Sequence, residues 1–173
     1  MATSSGGSIV TWAATQPGRS DGVAALVQIS PNYGVQGSGA AILTMPFGGL
    51  IAALVIGKER GFEPANEAHA KFWTYRYPTV ALLPMAAIAE LAYEAPVEQA
   101  KIPSLFVFSD ADKVVRPERT REIAGRWGGP HEIVAVSDST DPSSHVIAGD
   151  ALSPNTTDAL AQKIAEWVRS VSG

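Results

Sequence analysis

Apolar positions along this 173-residue chain fall into two kinds of run. Three are short and nearly continuous: Val23 to Ser30 (VAALVQIS), Ser104 to Ser109 (SLFVFS) and Glu132 to Val136 (EIVAV). Runs of that length, punctuated by Gly and Pro, predict strands buried on both faces of a parallel sheet. The others follow helical spacing. Gly6 to Gln16 predicts a helix with Ile9, Trp12 and Ala13 on one face, ended by Pro17-Gly18. Leu82 to Tyr93 predicts a second, with Pro78 and Pro84 about its start. Pro117 to Trp127 predicts a third, with Pro117 and Glu118 in its first turn and Gly128-Gly129-Pro130 as its stop. Leu160, Ile164, Trp167, Val168 and Val171 form a core-facing stripe on a last helix, which starts near Thr156, whose hydroxyl can cap it.

Strands alternating with helices make a parallel, right-handed α/β layer. Its first strand is an exposed apolar edge unless something covers it, a surface on which another chain, or a second copy of this one, can pair. Residues 31 to 40 are rich in Gly, Asn and Ser and predict a loop. Residues 41 to 95 break the alternation. They hold an aromatic segment (Phe72, Trp73, Tyr75, Tyr77) and the Leu82 to Tyr93 helix, and predict a helical insertion. Gly37 to Gly57 is uncharged and long enough to span a bilayer. Pro46, Gly48 and Gly49 interrupt it and its hydropathy is modest, so an apolar cap over a lipid-like substrate is the better expectation.

Composition narrows the function classes. At 46% hydrophobic and 17% charged residues the chain is an ordered single domain rather than a disordered one. A net charge of −4 gives no basic footprint for nucleic acid. The absence of cysteine excludes disulfides, thiolate metal sites and cysteine nucleophiles. The three histidines, His69, His131 and His145, are not spaced as metal ligands, so neither metal nor cofactor is expected. No basic region followed by an apolar run marks a leader at the N-terminus, and the expectation is a cytoplasmic protein.

Three places carry candidate chemistry. Ala2-Thr3-Ser4-Ser5-Gly6-Gly7 reads as a nucleophile elbow: a serine directly before a helix start, with small residues that let a sharp turn pack. The backbone N–H of Ser5, aided by the helix N-terminus, can hold an oxyanion there. Taken alone, the same string also fits a loose Ser/Gly-rich terminus. Asp112 follows the second strand, where open α/β sheets place their sites, with Asp110 as competitor and helix capping as the plain alternative. His145 follows the third strand through a polar loop, Ser137 to Ser144. His131 opens a strand and is expected to be solvated; His69 is expected to be structural or at the surface. A serine hydroxyl needs a base, and the base needs an acid to orient it. Ser4, Asp112 and His145 stand in that order at strand ends.

Lys101 to Pro117 (KIPSLFVFSDADKVVRP) resembles the acid-bearing segment of the α/β-hydrolase superfamily. His145 to Asp150 (HVIAGD), followed by a closing amphipathic helix, resembles its histidine segment. The branch it is most similar to is that of the serine aminopeptidase or lysophospholipase-like hydrolases, which include monoacylglycerol lipases. The resemblance implies a partial α/β-hydrolase fold of about three parallel strands. Residues 1–36 and 99–173 would be the core and residues 37–98 a helical cap that shapes the substrate pocket. It implies Ser4 as nucleophile, Asp112 as acid, His145 as base and Ser5 as an oxyanion-hole donor, acting on an ester or related acyl bond of a hydrophobic small molecule. Two departures stand out. Ala2 replaces the first glycine of G-x-S-x-G, and the chain opens at the elbow, so the strand that aims the nucleophile and the loop with the second oxyanion donor are expected to be absent. The expectation is a C-terminal portion of such an enzyme, weakly active or inactive by itself. A non-catalytic binding or assembly module, paired through its strand edge, is the alternative.

Overall fold

The computed structural model describes residues 1–37 and 57–171. Along the chain lie β1 (Ala2–Thr3), α1 (Ser5–Ala14), β2 (Leu26–Ile29), β3 (Glu59–Gly61), α2 (Glu67–Phe72), β4 (Arg76–Pro78), α3 (Leu82–Tyr93), β5 (Ser104–Phe108), α4 (Pro117–Arg126), β6 (His131–Ala135) and α5 (Pro154–Val171). The three apolar runs became β2, β5 and β6. They pair in parallel in the order β1-β2-β5-β6, with Leu26 beside Ser104 and Ser104 beside His131.

β5 is central, and no residue from Ser104 to Phe108 is more than 1% exposed, which is why its sequence reads as a continuous apolar run rather than an alternation. Its side chains still divide between two faces. Leu26, Phe106 and Phe108 pack with Ile123, Ala124 and Trp127 of the α4 region and with Ala92 of α3. Val27, Leu105, Val107 and Val134 pack against Leu160 and Trp167, with Ile164, Val168 and Val171 around them, so the stripe on α5 covers the opposite face as its spacing predicts. The result is a three-layer α/β arrangement.

Four features differ from the sequence reading. The sheet has four strands rather than three, because Ala2–Thr3 pairs with Gln28 and Ile29. The strand that aims Ser4, expected to be absent, is thus present over two residues, too few to leave a periodic signal. The buried side of α1 is Gly7, Ser8 and Thr11, while Ile9 is 54% exposed. Polar pairing decides that face. Thr11 Oγ1 donates to Gln28 Oε1 (2.8 Å), Tyr33 OH donates to the same oxygen (2.7 Å), and Gln28 Nε2 donates to Ser104 Oγ (3.0 Å). The insertion is not wholly helical, since β3 and β4 form an antiparallel ribbon with Arg60 opposite Tyr77. The last helix starts at Pro154, and the Thr156 hydroxyl donates to the carbonyls of Ile147 (2.7 Å) and Ser153 (3.1 Å) instead of capping its own helix. The uncharged Gly37 to Gly57 stretch lies, but for its two end residues, outside the described residues. Among the described residues no helix is long and apolar enough to cross a membrane.

The turn from β1 into α1 is made possible by Gly7. A Cβ there would meet Pro31 Cβ at 2.6 Å and Pro31 Cα at 2.9 Å, whereas one on Gly6 would meet only Ala2 Cβ at 3.7 Å. Gly7→Ala therefore has to displace backbone and is expected to cost about 1–3 kcal/mol, as overpacking does. Gly6→Ala is expected to stay within about 0.5 kcal/mol of the parent. Thermal denaturation of the two variants checks this, and equal midpoints would refute the role given to Gly7.

Candidate active site

The site lies beyond the C-terminal ends of β1, β5 and β6. Ser4 follows β1 with φ +47°, the left-handed region that a non-glycine residue rarely enters. Its surroundings over-determine that conformation. The Ser4 N–H donates to Ile29 O (3.0 Å), and its carbonyl accepts from Gly7 N–H (2.9 Å) and Asn32 N–H (3.0 Å). The chain reverses from strand to helix at this residue. Ser5 is the first residue of α1, so its N–H has no acceptor within the helix. Asn32 Nδ2 donates to Ser5 Oγ (3.3 Å) and braces the same turn.

Asp112 is 4% exposed and its two oxygens have separate tasks. Oδ1 accepts the N–H groups of Val114 (2.8 Å) and Val115 (2.9 Å), which turns the loop after β5 back on itself. Oδ2 lies 2.8 Å from His145 Nδ1, and His145 Nε2 lies 3.2 Å from Ser4 Oγ. The structure thus brings Ser4, His145 and Asp112 into one hydrogen-bonded chain. With Nδ1–H donated to Asp112, Nε2 is the lone-pair nitrogen facing the serine hydroxyl.

The competing acid is elsewhere engaged. Asp110 is exposed and forms a two-pronged pair with Arg121 (2.8 and 2.6 Å), and that hydrogen-bonded guanidinium holds its carboxyl below the usual aspartate range. His131 is exposed, with Nδ1 3.1 Å from Gly129 O, and stands at the start of β6, the far end of the sheet. His69 lies in α2, stacked on Phe62 (5.1 Å between ring centres) and edge-on to Trp73 (5.0 Å). Among the described residues no group of three or more acidic or histidine side chains is gathered as for a metal ion.

Two residues of the site were not singled out by the sequence. Asp141 lies in the loop read only as polar. Its carboxylate accepts from Ser143 N–H (3.0 Å), Ser143 Oγ (2.5 Å), His145 N–H (3.0 Å) and Val146 N–H (2.8 Å). Burial pushes its pKa up, but these hydrogen bonds outweigh burial and hold it below the usual range. The spacing Asp141-x-Ser143, a side chain capping the N–H two residues on, is the signal that marks such a loop. Ser30, at the end of β2, donates its hydroxyl to His145 O (2.7 Å). Ser4, Ser30 and Ser144 are the non-glycine residues with positive φ among those described, at +47°, +43° and +54°, and all three are at this site. Backbone strain gathered in one place is a mark of a functional site.

No protein-family model matches the chain. No curated protein sequence matches it. Solved structures do. A structure from the metagenome-derived lipolytic enzymes LipS and LipT superposes with a TM-score of 0.70 at 20% identity, over 97% of this chain and 64% of that one. The monoacylglycerol lipase of Paleococcus ferrophilus gives 0.70 at 19% identity, over 98% and 67%. A soluble variant of the monoglyceride lipase of Saccharomyces cerevisiae gives 0.68 at 11% identity, over 99% and 61%. The fold is that of the α/β-hydrolases, and the chain spans about two thirds of the length of these neighbours.

The depressed pKa of Asp141 has a sign that can be checked. The folded value lies below the unfolded one, so the carboxylate stabilises the fold above about pH 4 and that contribution is lost as pH falls through the folded value. Asp141→Asn removes a charged acceptor of backbone N–H groups and is expected to cost about 1–3 kcal/mol near neutral pH. In urea unfolding measured from pH 7 downward, the gap between parent and variant should close on the acid side. A gap that stays constant would contradict this account.

Proposed function

We propose that the chain carries a serine hydrolase site that cleaves an ester or related acyl bond of a hydrophobic small molecule through an acyl-serine intermediate. The observation that carries the reading is the His145 ring, within hydrogen-bond reach of both Asp112 Oδ2 and Ser4 Oγ. Asp112 holds the tautomer with Nδ1 protonated and stabilises the imidazolium that forms. His145 Nε2 takes the Ser4 proton as Oγ attacks the acyl carbon. The oxyanion of the tetrahedral intermediate is met by the Ser5 N–H at the positive end of α1. His145 then gives the proton to the leaving alcohol as its bond to the acyl carbon breaks. Water, deprotonated by His145, attacks the acyl-serine; the acid product leaves and Ser4 regains its proton.

The likeness to lipolytic enzymes favours an ester with an apolar acyl or alcohol part. In this reading the described residues 57–81 would belong to a cap over the substrate, while α3 packs Ala92 into the core beneath the sheet. Exposed Phe62, Phe72, Trp73 and Tyr75 supply apolar surface in that range.

Fluorophosphonate labelling with intact mass and peptide mapping tests the reading. One adduct per chain on Ser4 is expected, abolished in His145→Ala. Hydrolysis of a p-nitrophenyl ester should drop about 10³–10⁴-fold in Asp112→Asn, where the amide cannot hold the same tautomer. Asp110→Asn, which removes only an exposed ion pair, should leave it within about twofold. No adduct on a folded chain would overturn the enzymatic reading in favour of a binding or assembly module.

A further inference from the structure

The distance between nucleophile and base has to be set by something other than their own 3.2 Å contact, which forms and breaks in every turnover. Two consecutive residues of one chain segment stand in that position. The Ile29 carbonyl accepts the Ser4 N–H (3.0 Å), and the Ser30 hydroxyl donates to the His145 carbonyl (2.7 Å). Ser4 and His145 thus both hang from the Ile29-Ser30 step. That step is itself fixed, because Ile29 is the last residue of β2 and the Ser30 N–H donates to Val107 O of the central strand (2.8 Å). Ser30 is 3% exposed, so its hydroxyl has no water to compete for it.

Every polar group of His145 is engaged in consequence. Asp141 accepts its N–H, Ser30 donates to its carbonyl, Asp112 meets Nδ1 and Ser4 meets Nε2. Asp141 belongs to the histidine's own loop and cannot fix where that loop sits over the sheet. Ser30 belongs to the sheet. A structural reading of Ser30 as a mere turn residue leaves one fact unexplained. At φ +43° a serine is strained where glycine would be free, and the side chain kept there makes a single hydrogen bond, to the histidine's backbone.

We propose that Ser30 is a positioning residue, whose hydroxyl ties the backbone of His145 to β2 and so sets the Ser4–His145 distance for proton transfer. The proposal rests on reading Ser4, His145 and Asp112 as an acyl-transfer site. Proton transfer and attack depend steeply on such placement, and a misplacement of about 1 Å costs on the order of 100-fold in rate.

The test compares Ser30→Ala and Ser30→Gly with the parent chain. The readouts are the rate of diisopropyl fluorophosphate labelling at Ser4, kcat and KM on a p-nitrophenyl ester, and the melting temperature. Ser30→Gly removes the hydroxyl but also the strain, so it should melt at or above Ser30→Ala. Both variants are expected to label about 10–100-fold more slowly, with kcat lowered to match and KM nearly unchanged. A Ser30→Gly chain that labels at the parent rate would overturn the proposal, since a residue needed only for its turn is rescued by glycine. The same holds if the loss appears in KM alone. An unreactive Ser4 in the folded parent would instead sink the acyl-transfer reading and this inference with it, so the two failures are told apart by the parent chain.

Discussion

The left-handed backbone at Ser4 is the constraint on which the site depends. Such a conformation costs a non-glycine residue on the order of 1–3 kcal/mol and persists only where neighbours over-determine it. Here the neighbours are the Ile29 carbonyl, the Gly7 and Asn32 N–H groups, and the close approach of Gly7 to Pro31. Without that reversal the helix would not begin directly after the strand, and the Ser5 N–H would not lie beside the Ser4 hydroxyl. The side chain would also turn away from His145. Two residues of β1 suffice because their pairing with β2 fixes the direction in which the chain enters the turn.

Beneath the turn the core is not purely apolar. Gln28, fully buried, is served by Thr11, Tyr33 and Ser104, and burial of the Tyr33 hydroxyl in this cluster pushes its pKa up. A buried polar network is costly when half satisfied and specific when complete. This one joins α1, β2, the loop after β2 and β5, so it fixes the helix that starts at Ser5 against the strands that lead to Ser30 and Asp112. Ser8, which donates to Asn32 O, extends the same seam towards the site.

Much of this was legible in the sequence, and the remainder was hidden for identifiable reasons. Continuous apolar runs gave β2, β5 and β6, and the five-residue stripe gave α5, because sheets buried on both faces and amphipathic helices write themselves into hydropathy. Ser4, Asp112 and His145 were picked out as candidates from their order at strand ends, and the structure brings those three within hydrogen-bond reach. Two-residue β1 and three-residue β3 and β4 carry no period and could not be read. On α1 Trp12 packs against the core, but the fully buried side is Gly7, Ser8 and Thr11, and apolar spacing does not register the pairing of the Thr11 hydroxyl with the Gln28 amide and the Tyr33 hydroxyl. Ser30 and Asp141 escaped because both act on backbone groups of His145, and a bond to a backbone atom leaves no partner residue to look for.

The glycine pair at 128 and 129 was read as a helix stop, and it does more than that. A Cβ on Gly128 would lie 1.9 Å from Glu98 O, and one on Gly129 would lie 2.6 Å from Lys101 O, so the connections entering β5 and β6 run backbone against backbone. The two ends of the sheet are therefore built on different terms. At the entry end bare main chain touches main chain, and almost any added atom is refused. At the exit end the loops are held apart and joined by the tips of Ser, Asp and Asn side chains. A side chain added at Gly128 or Gly129 must therefore move main chain, whereas the Ser, Asp and Asn side-chain contacts at the exit end can be removed singly without any such shift.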